Sequence, residues 1–136
     1  MNEILIIDDE EDFGYFVKSN LQLNDEFHVS VATDGKTGLK MAEEVMPDLI
    51  LLDVMMPKMD GLQVLKKLKG NKKTQKIPVI MLTAKNDEES IAEAIGSFSE
   101  QYIIKPIEMT TLENKVRTVL RNHGLYPSEG TLGWNK

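Results

Sequence analysis

Several polar residues in this sequence directly follow short apolar runs, and their types suit electrostatic chemistry. They are Asp8, Asp9, Asp53, Thr83 and Lys105. Three carboxylates brought together repel one another at short range, so the cluster needs a compensating positive charge. A hard divalent cation supplies that charge, and carboxylate oxygens with retained waters are ligands that suit Mg²⁺. The residue types therefore predict a magnesium site with a lysine beside it.

A carboxylate beside a metal ion, a lysine and a hydroxyl group is suited to receiving a phosphoryl group. Phosphoryl transfer depends mainly on positioning and on neutralising the charge of the equatorial oxygens. In this interpretation Asp53 is the nucleophile. The metal ion, the Thr83 hydroxyl and the Lys105 ammonium group then each bind one phosphoryl oxygen. An aspartyl phosphate would present new charge and strong acceptor oxygens at the same place.

These residues converge only if the apolar runs before them are strands of one parallel sheet. The runs are continuous rather than alternating, which is typical of strands covered on both faces. They are Ile4–Ile7, Leu49–Leu52, Val79–Leu82 and Tyr102–Ile104, with His28–Ala32 as a weaker fifth. The carboxyl ends of parallel strands share one edge of a sheet, and ligands bind there.

Between these runs, apolar residues recur at i, i+3, i+4 and i+7, which predicts amphipathic helices. The apolar stripes begin at Phe13, Gly38, Gly61, Ile91 and Leu112. Strand and helix thus alternate five times. This order predicts an α/β fold of the flavodoxin-like (βα)5 type, a doubly wound parallel five-stranded sheet with the strand order 2-1-3-4-5.

The last helix carries its own end signals. Thr110 and Glu113 have the spacing of a capping box, which predicts that the helix begins there. Gly124 is the expected terminator. Beyond Arg121 the sequence loses its apolar period, so we predict one domain over residues 1–123 and an extended or disordered tail over residues 124–136.

Composition narrows the class of protein further. The chain has 136 residues, enough for one domain with a hydrophobic core, and a net charge of −6. This charge argues against non-specific binding to nucleic acid or to a membrane surface. The absence of cysteine excludes disulfides and thiolate catalysis. The first residues show neither a signal peptide nor a membrane span, which predicts a cytoplasmic protein.

Four motifs make the chain resemble the receiver domain of bacterial two-component response regulators. They are D-D at Asp8, L-L-D-V-M-M-P-K-M-D-G around Asp53, L-T-A-K from Leu82 and Y-I-I-K-P from Tyr102. Each motif alone is weak, whereas the four in order are specific. The resemblance covers roughly Ile4 to Arg121. It implies a regulator of the single-domain type, or a receiver from a longer protein, that signals rather than acts as an enzyme.

The resemblance also implies roles for the acidic residues. Asp53 would be the phosphoacceptor, supplied by a sensor histidine kinase or a histidine phosphotransfer protein. Asp9 would bind Mg²⁺ directly and Asp8 through water, and the backbone carbonyl of Met55 would complete the protein ligands beside Asp53. The protein would assist its own phosphorylation and dephosphorylation.

A second group of implied roles concerns switching. Thr83 and Tyr102 correspond to a switch pair, in which the hydroxyl moves toward the phosphoryl group and the ring turns inward behind it. This would change the binding of a protein partner. Lys105 would hold a phosphoryl oxygen, with a cis peptide bond to Pro106. Taken singly, Thr83 would also suit a helix cap, and Tyr102 would also suit plain packing.

The sequence departs from the family pattern at Phe98, where a glycine is usual seven residues before the lysine. Phenylalanine adopts a left-handed helix terminus only at a cost, so the preceding helix ends differently or Gly96 takes over the turn. In the family this region commonly contacts partners. The departure therefore concerns output more than phosphorylation.

Three alternative functions compete with a phosphoacceptor. A receiver-like interaction module that is not phosphorylated would not need the full set of acids and lysine. A phosphatase with an aspartate nucleophile typically has a second acid two residues later, where this chain has Met55. A flavin-binding protein would need a Ser/Thr/Gly-rich loop after the first strand, where Asp8 and its acidic neighbours would repel phosphate.

Overall fold

Parallel strands and the helices that connect them make up the described part of the chain. The structure is a computed structural model, and it describes residues 1–84, 89, 92 and 101–127. The strands are β1 (Asn2–Ile7), β2 (Phe27–Ala32), β3 (Leu49–Asp53), β4 (Val79–Thr83) and β5 (Gln101–Ile104). The helices are α1 (Glu11–Leu21), followed by a 3-10 turn (Gln22–Asn24), α2 (Gly35–Val45), α3 (Gly61–Lys69) and α4 (Met109–Asn122).

The five strands form one sheet in the order β2-β1-β3-β4-β5, and every neighbouring pair is parallel. The predicted fold and strand order are therefore confirmed. Strand β1 begins at Asn2, two residues earlier than predicted, because Asn2 pairs with Phe27 in β2. Hydrogen bonding of the backbone, which apolar patterning does not report, extends the strand to polar residues.

The register of the sheet aligns the chemically important residues at one edge. Ile7 pairs with Leu52, so the residues that follow them, Asp8 and Asp53, leave the sheet side by side. Asp53 in turn pairs with Leu82, the residue before Thr83. The carboxyl ends of β1, β3 and β4 therefore meet, as expected for a parallel sheet.

Each face of the sheet packs against two of the described helices. On one face, side chains of α1 and α4 such as Val17 and Val116 pack with Ile4 and Leu51. On the other face, side chains of α2 and α3 such as Ala42 and Leu65 pack with neighbouring strand residues. Because both faces are covered, the central strands β1, β3 and β4 each contain a continuous run of buried apolar residues.

Two helices begin with an aspartate whose side chain caps the first turn. The Asp34 carboxylate accepts a hydrogen bond of 2.7 Å from the Thr37 backbone N–H at the start of α2. At the start of α3, Asp60 accepts from the Gln63 N–H at 2.9 Å, and the Gln63 side chain accepts from the Asp60 N–H at 3.1 Å. This reciprocal pair is a capping box with the D-x-x-Q spacing.

The predicted capping box of the last helix is wrong. Helix α4 begins at Met109 with Glu108 as its N-cap, so Thr110 already lies inside the first turn. Thr111, not Thr110, contacts the cap residue, by donating its hydroxyl to the Glu108 carboxylate at 2.9 Å. The predicted terminator is confirmed. Gly124 has a φ of 72°, and the next N–H, of Leu125, donates to the Leu120 carbonyl at 2.8 Å.

Some predictions fall on parts of the chain that are not described. The predicted helix with the stripe Ile91, Ala94, Ile95 and Phe98 lies outside the described residues, as does the departure at Phe98. Residues 128–136 of the predicted tail also lie outside them. Among the helices that are described, none combines the length and the apolar character needed to cross a membrane.

Candidate functional site

Three carboxylates lie together at the carboxyl edge of the sheet. One oxygen from each of Asp8, Asp9 and Asp53 lies within 4.8 Å of the others. The side chains of Asp8 and Asp53 are buried, whereas Asp9 is exposed. Asp8 is fixed from both sides: its N–H donates to the Ala32 carbonyl at 3.0 Å, and its Oδ1 accepts from the Glu10 N–H at 2.9 Å. The predicted acidic cluster is therefore present.

The Lys105 ammonium group reaches into this cluster from the end of β5. Its Nζ lies 3.0 Å from Asp8 Oδ2 and 3.3 Å from Asp53 Oδ1. The structure thus brings together four of the residues that the sequence analysis selected. The Lys105 backbone N–H donates to the Thr83 carbonyl at 2.7 Å, which joins the lysine to the end of β4.

Two further residues contact Lys105 and were not predicted. Glu10 Oε1 lies 3.2 Å from Lys105 Nζ, and the Phe13 ring centroid lies 4.6 Å from it. Both belong to the start of α1, at the N-cap and one turn later. The run of acids after Asp8 is a signal for Glu10 in the sequence, whereas the pattern around Phe13 indicates only the apolar stripe of its helix.

The backbone at Asp53 is packed tightly against the start of α3. The Gly61 N–H donates to the Val54 carbonyl at 2.8 Å. A Cβ atom at Gly61 would lie 2.1 Å from the Asp53 carbonyl oxygen and 2.7 Å from the Val54 Cα. Only glycine permits this approach, so Gly61 fixes the loop that follows Asp53.

The remaining predicted site residues occupy different surroundings. Thr83 is fully buried, and its hydroxyl donates to the Ala84 carbonyl at 3.1 Å. Tyr102 pairs with Met81 in the sheet, and 39% of it is exposed. Met55 follows β3 with an exposed side chain. The predicted cis peptide bond between Lys105 and Pro106 is confirmed, whereas the switch role of Thr83 and Tyr102 stays a prediction.

Among the described residues of this site, negative charge exceeds positive charge, and the pKa values reflect this excess. Burial and the negative charge of Asp8 raise the pKa of Asp53 to about 7. Burial likewise raises the pKa of Asp8. Burial of Lys105 acts to lower its pKa, but the hydrogen bond to Asp8 and the charge of Asp53 outweigh it and raise the pKa. Lys105 alone does not offset the surrounding carboxylates.

This surplus is the observation that fits a bound cation. Two buried carboxylates and one exposed carboxylate form an all-oxygen donor set that is open to solvent on one side. Mg²⁺ prefers oxygen ligands and keeps several of its waters, so this half-open set suits it. The donor chemistry agrees with the predicted magnesium site.

The whole domain matches a family of signalling modules. The family model described as "Response regulator receiver domain" matches residues 4–117 of the chain. Solved structures agree. The Vibrio cholerae chemotaxis protein CheY4 superposes with a TM-score of 0.81 at 28% sequence identity, covering 88% of this chain and 99% of that chain. The receiver domain of the Francisella response regulator 1452 also gives 0.81, at 31% identity, covering 90% and 99%.

Curated relatives are longer proteins. The transcriptional regulatory protein AfsQ1 of Streptomyces coelicolor is 35% identical over 122 residues, which are 89% of this chain and 52% of that protein. The alkaline phosphatase synthesis transcriptional regulatory protein PhoP of Bacillus subtilis is 38% identical over 119 residues, 88% of this chain and 48% of that protein. The chain therefore spans about half the length of these relatives.

Proposed function

This chain belongs to the response regulator receiver domain family, and from this premise we propose that Asp53 is its phosphoacceptor. The donor is a phosphohistidine on a sensor histidine kinase or a histidine phosphotransfer protein. One observation carries the proposal: the buried Asp53 carboxylate lies beside Asp8 and within 3.3 Å of the Lys105 ammonium group. A nucleophile and a cation that can hold an equatorial oxygen thus face the same space.

In the proposed reaction an Asp53 carboxylate oxygen attacks the phosphorus atom of the donor. A P–O bond forms to Asp53 while the P–N bond of phosphohistidine breaks, and the imidazole leaves. Lys105 stabilises the transferring group by binding one of its oxygens, and the Thr83 hydroxyl binds another. Because these groups belong to the receiver, the domain assists its own phosphorylation and dephosphorylation.

Mg²⁺ would be held by Asp9 and Asp53 directly, by Asp8 through water and by the backbone carbonyl of Met55. When bound, the ion supplies positive charge that offsets the carboxylates and the phosphoryl oxygens. The surplus of carboxylates over lysine at the edge of the sheet supports this set of ligands.

Output is proposed to depend on Thr83 and Tyr102. The Thr83 hydroxyl would exchange its bond to the Ala84 carbonyl for one to the phosphoryl group, and the exposed Tyr102 ring would turn inward. The response would be a change in the binding of a protein partner. A cytoplasmic location, the absence of direct nucleic-acid binding and a boundary near residue 123 stay predictions.

The test is to incubate the protein with acetyl phosphate and Mg²⁺ and to measure its intact mass. The native protein and an Asp25→Asn control should each gain one phosphoryl group. Asp25 is exposed and has a φ of 56°, a conformation that asparagine tolerates. The Asp53→Asn variant should gain none. If the native protein gains no mass that Asp53→Asn lacks, the chain is an interaction module and the proposal fails.

A further inference from the structure

We propose that Glu10 competes with the incoming phosphoryl group for Lys105 and is released when that group binds, while Phe13 keeps the ammonium group over the site. Glu10 and Phe13 are therefore positioning residues for the proposed reaction, on which this inference rests. The two residues act on the same lysine in opposite directions. Removing the Glu10 contact should favour the phosphoryl group, and removing the Phe13 ring should disfavour it.

Lys105 has fewer hydrogen-bond donors than it would need to bind a phosphoryl oxygen and keep all its present partners. An ammonium group has three N–H donors and no acceptor. Three carboxylates already surround it, at 3.0 Å (Asp8), 3.2 Å (Glu10) and 3.3 Å (Asp53). A phosphoryl oxygen can gain a full hydrogen bond from Lys105 only if one of these acceptors gives up its place.

The three carboxylates differ in how readily they can leave. The Asp8 side chain is completely buried, and a backbone hydrogen bond from Glu10 holds it. Asp53 is buried and carries the phosphoryl group itself. The Glu10 side chain is 66% exposed, so water can solvate its carboxylate as soon as it leaves the lysine. Glu10 is thus the acceptor that leaves at the smallest cost in desolvation.

Phe13 supplies the opposite effect. The face of its ring attracts the Lys105 ammonium group from 4.6 Å. The ring packs against the apolar core between α1 and the sheet, so it cannot follow the lysine outward. When Glu10 leaves, this contact still holds Nζ near Asp53 and limits its movement into solvent.

Substitutions at two adjacent acids separate a direct contact from a general effect of charge. Glu10→Gln removes the negative charge, whereas Glu10→Asp keeps the charge and shortens the side chain by one methylene. Glu11→Gln is the matched control, because Glu11 is an exposed acid at the next position. If the contact matters, Glu10→Gln and Glu10→Asp should behave alike, and Glu11→Gln should behave like the native protein.

The measured quantity is the Kd for beryllofluoride, a mimic of the phosphoryl group, determined by calorimetry in excess Mg²⁺. An exposed ion pair contributes little, so Glu10→Gln and Glu10→Asp should tighten binding only about two- to five-fold. Glu11→Gln should stay within about 1.5-fold of the native value. The Kd for Mg²⁺ alone, measured in parallel, should change equally little in Glu10→Gln and Glu11→Gln.

Phe13→Leu should change the same Kd in the other direction, weakening beryllofluoride binding by roughly two- to five-fold. Circular dichroism melting checks that each variant is folded before titration. If Phe13→Leu does not fold, Phe13→Met, which also lacks an aromatic face, takes its place and should weaken binding to a similar extent.

Three results would overturn the inference. Equal tightening in Glu10→Gln and Glu11→Gln would mean that only overall charge matters. A native Kd in Glu10→Asp would mean the same. Weaker Mg²⁺ binding in Glu10→Gln alone would place Glu10 among the metal ligands. Failure of the proposed function looks different, since the native protein would then neither bind beryllofluoride nor gain mass from acetyl phosphate.

Discussion

The two ends of the sheet differ in how far their acidic side chains are paired with positive charges and hydrogen-bond donors. At the carboxyl end, the carboxylates of Asp8, Asp9, Glu10 and Asp53 surround the Lys105 ammonium group. At the amino end, the partly buried Glu26 carboxylate accepts from Arg117 at 2.7 Å and from the Tyr126 hydroxyl at 2.5 Å. Among the described residues, negative charge exceeds positive charge at the carboxyl end, whereas Glu26 at the amino end is paired with a cation and a hydroxyl donor.

The pKa values follow this difference. The pKa of Asp53 is raised to about 7 by burial and by Asp8. Burial acts to raise the pKa of Glu26 as well, but its bonds to Tyr126 and Arg117 outweigh burial and lower it. Ionisation therefore costs stability at the carboxyl end and adds stability at the amino end. The stabilising contacts at the amino end therefore help to offset the cost in stability of the unfavourable charges at the carboxyl end.

The largest expected effect comes from the backbone at the carboxyl end. Gly61→Ala would force a methyl group against the Asp53 carbonyl, and we expect a loss of about 3 kcal/mol in the free energy of unfolding. Gly70→Ala is the control, because its Cβ would meet nothing nearer than the Lys66 carbonyl oxygen at 3.3 Å. Urea denaturation measures both. Similar losses in the two variants would contradict the role given to Gly61.

The next effect concerns pH in the absence of metal. The folded pKa of Asp53, about 7, lies above its ordinary value of 3.8, so the folded protein keeps a proton that the unfolded chain has lost. Stability should therefore fall as pH rises from about 4 to 7, on the order of 2 kcal/mol between pH 5 and 8. Urea denaturation in EDTA measures this slope.

Asp53→Asn should lose most of that slope and should be more stable than the native protein at pH 8. Adding Mg²⁺ at pH 8 should stabilise the native protein more than the variant, because the ion binds the folded state. If the stability of the native protein does not change between pH 5 and 8, the proposed excess of negative charge around Asp53 is refuted. An unchanged slope in Asp53→Asn would refute it as well.

A smaller effect is expected at the amino end. Tyr126→Phe removes the hydrogen bond to Glu26 and should reduce the free energy of unfolding at pH 7 by about 1 kcal/mol. The pKa of Glu26 lies below 4.5 in the folded state, so its contribution is present above pH 4.5 and is lost as pH falls through the folded value.

The difference between native protein and Tyr126→Phe should accordingly shrink below pH 4, opposite in sense to the effect at Asp53. Tyr15→Phe serves as the control, since Tyr15 is 48% exposed on α1, and it should change stability by less than about 0.5 kcal/mol. Thermal melting at several pH values gives the comparison. If the difference in stability between the native protein and Tyr126→Phe is the same at all pH values, the contribution of Tyr126 does not depend on Glu26.

The smallest effect is expected for an exposed pair between the first two strands. His28 Nδ1 lies 2.8 Å from Glu3 Oε1, and both side chains are largely in solvent. Glu3→Gln should cost less than about 0.5 kcal/mol, and 1 M salt should remove even that difference. A larger loss, seen in urea denaturation, would mean that pairing matters at the surface as much as it does at Glu26.

The fold was predictable because its signals are local and repeated. Continuous apolar runs identify strands buried on both faces, and their alternation with helical stripes leaves few possible topologies. The start of the last helix was not predictable from Thr110 and Glu113, because a capping sequence inside a helix looks the same as one at its start. At Asp60 and Gln63 the same kind of spacing does mark the start of a helix.

The site was predictable only as far as sheet topology determines it. The topology of the sheet brings the ends of the strands together, and with them Asp8, Asp53 and Lys105, independently of the conformation of the loops. The contacts of Glu10 and Phe13 depend on the angle at which the chain enters α1, which no spacing specifies. The bond between Glu26 and Tyr126 joins residues 100 positions apart, so no local pattern announces it.

The position of the chain just after the last helix makes it a useful place for a fluorescent label. The Leu125 carbonyl accepts from the Asn2 side chain at 3.1 Å, and Leu125 and Asp48 both line one cavity at the amino end of the sheet. From Asp48 to Asp53 is one strand length, about 17 Å at 3.3 Å per residue. A fluorophore at position 127 would therefore lie about one strand length from Asp53, close enough for energy transfer to a dye placed beside that residue. It would act as a distance gauge for a second dye on an arriving partner.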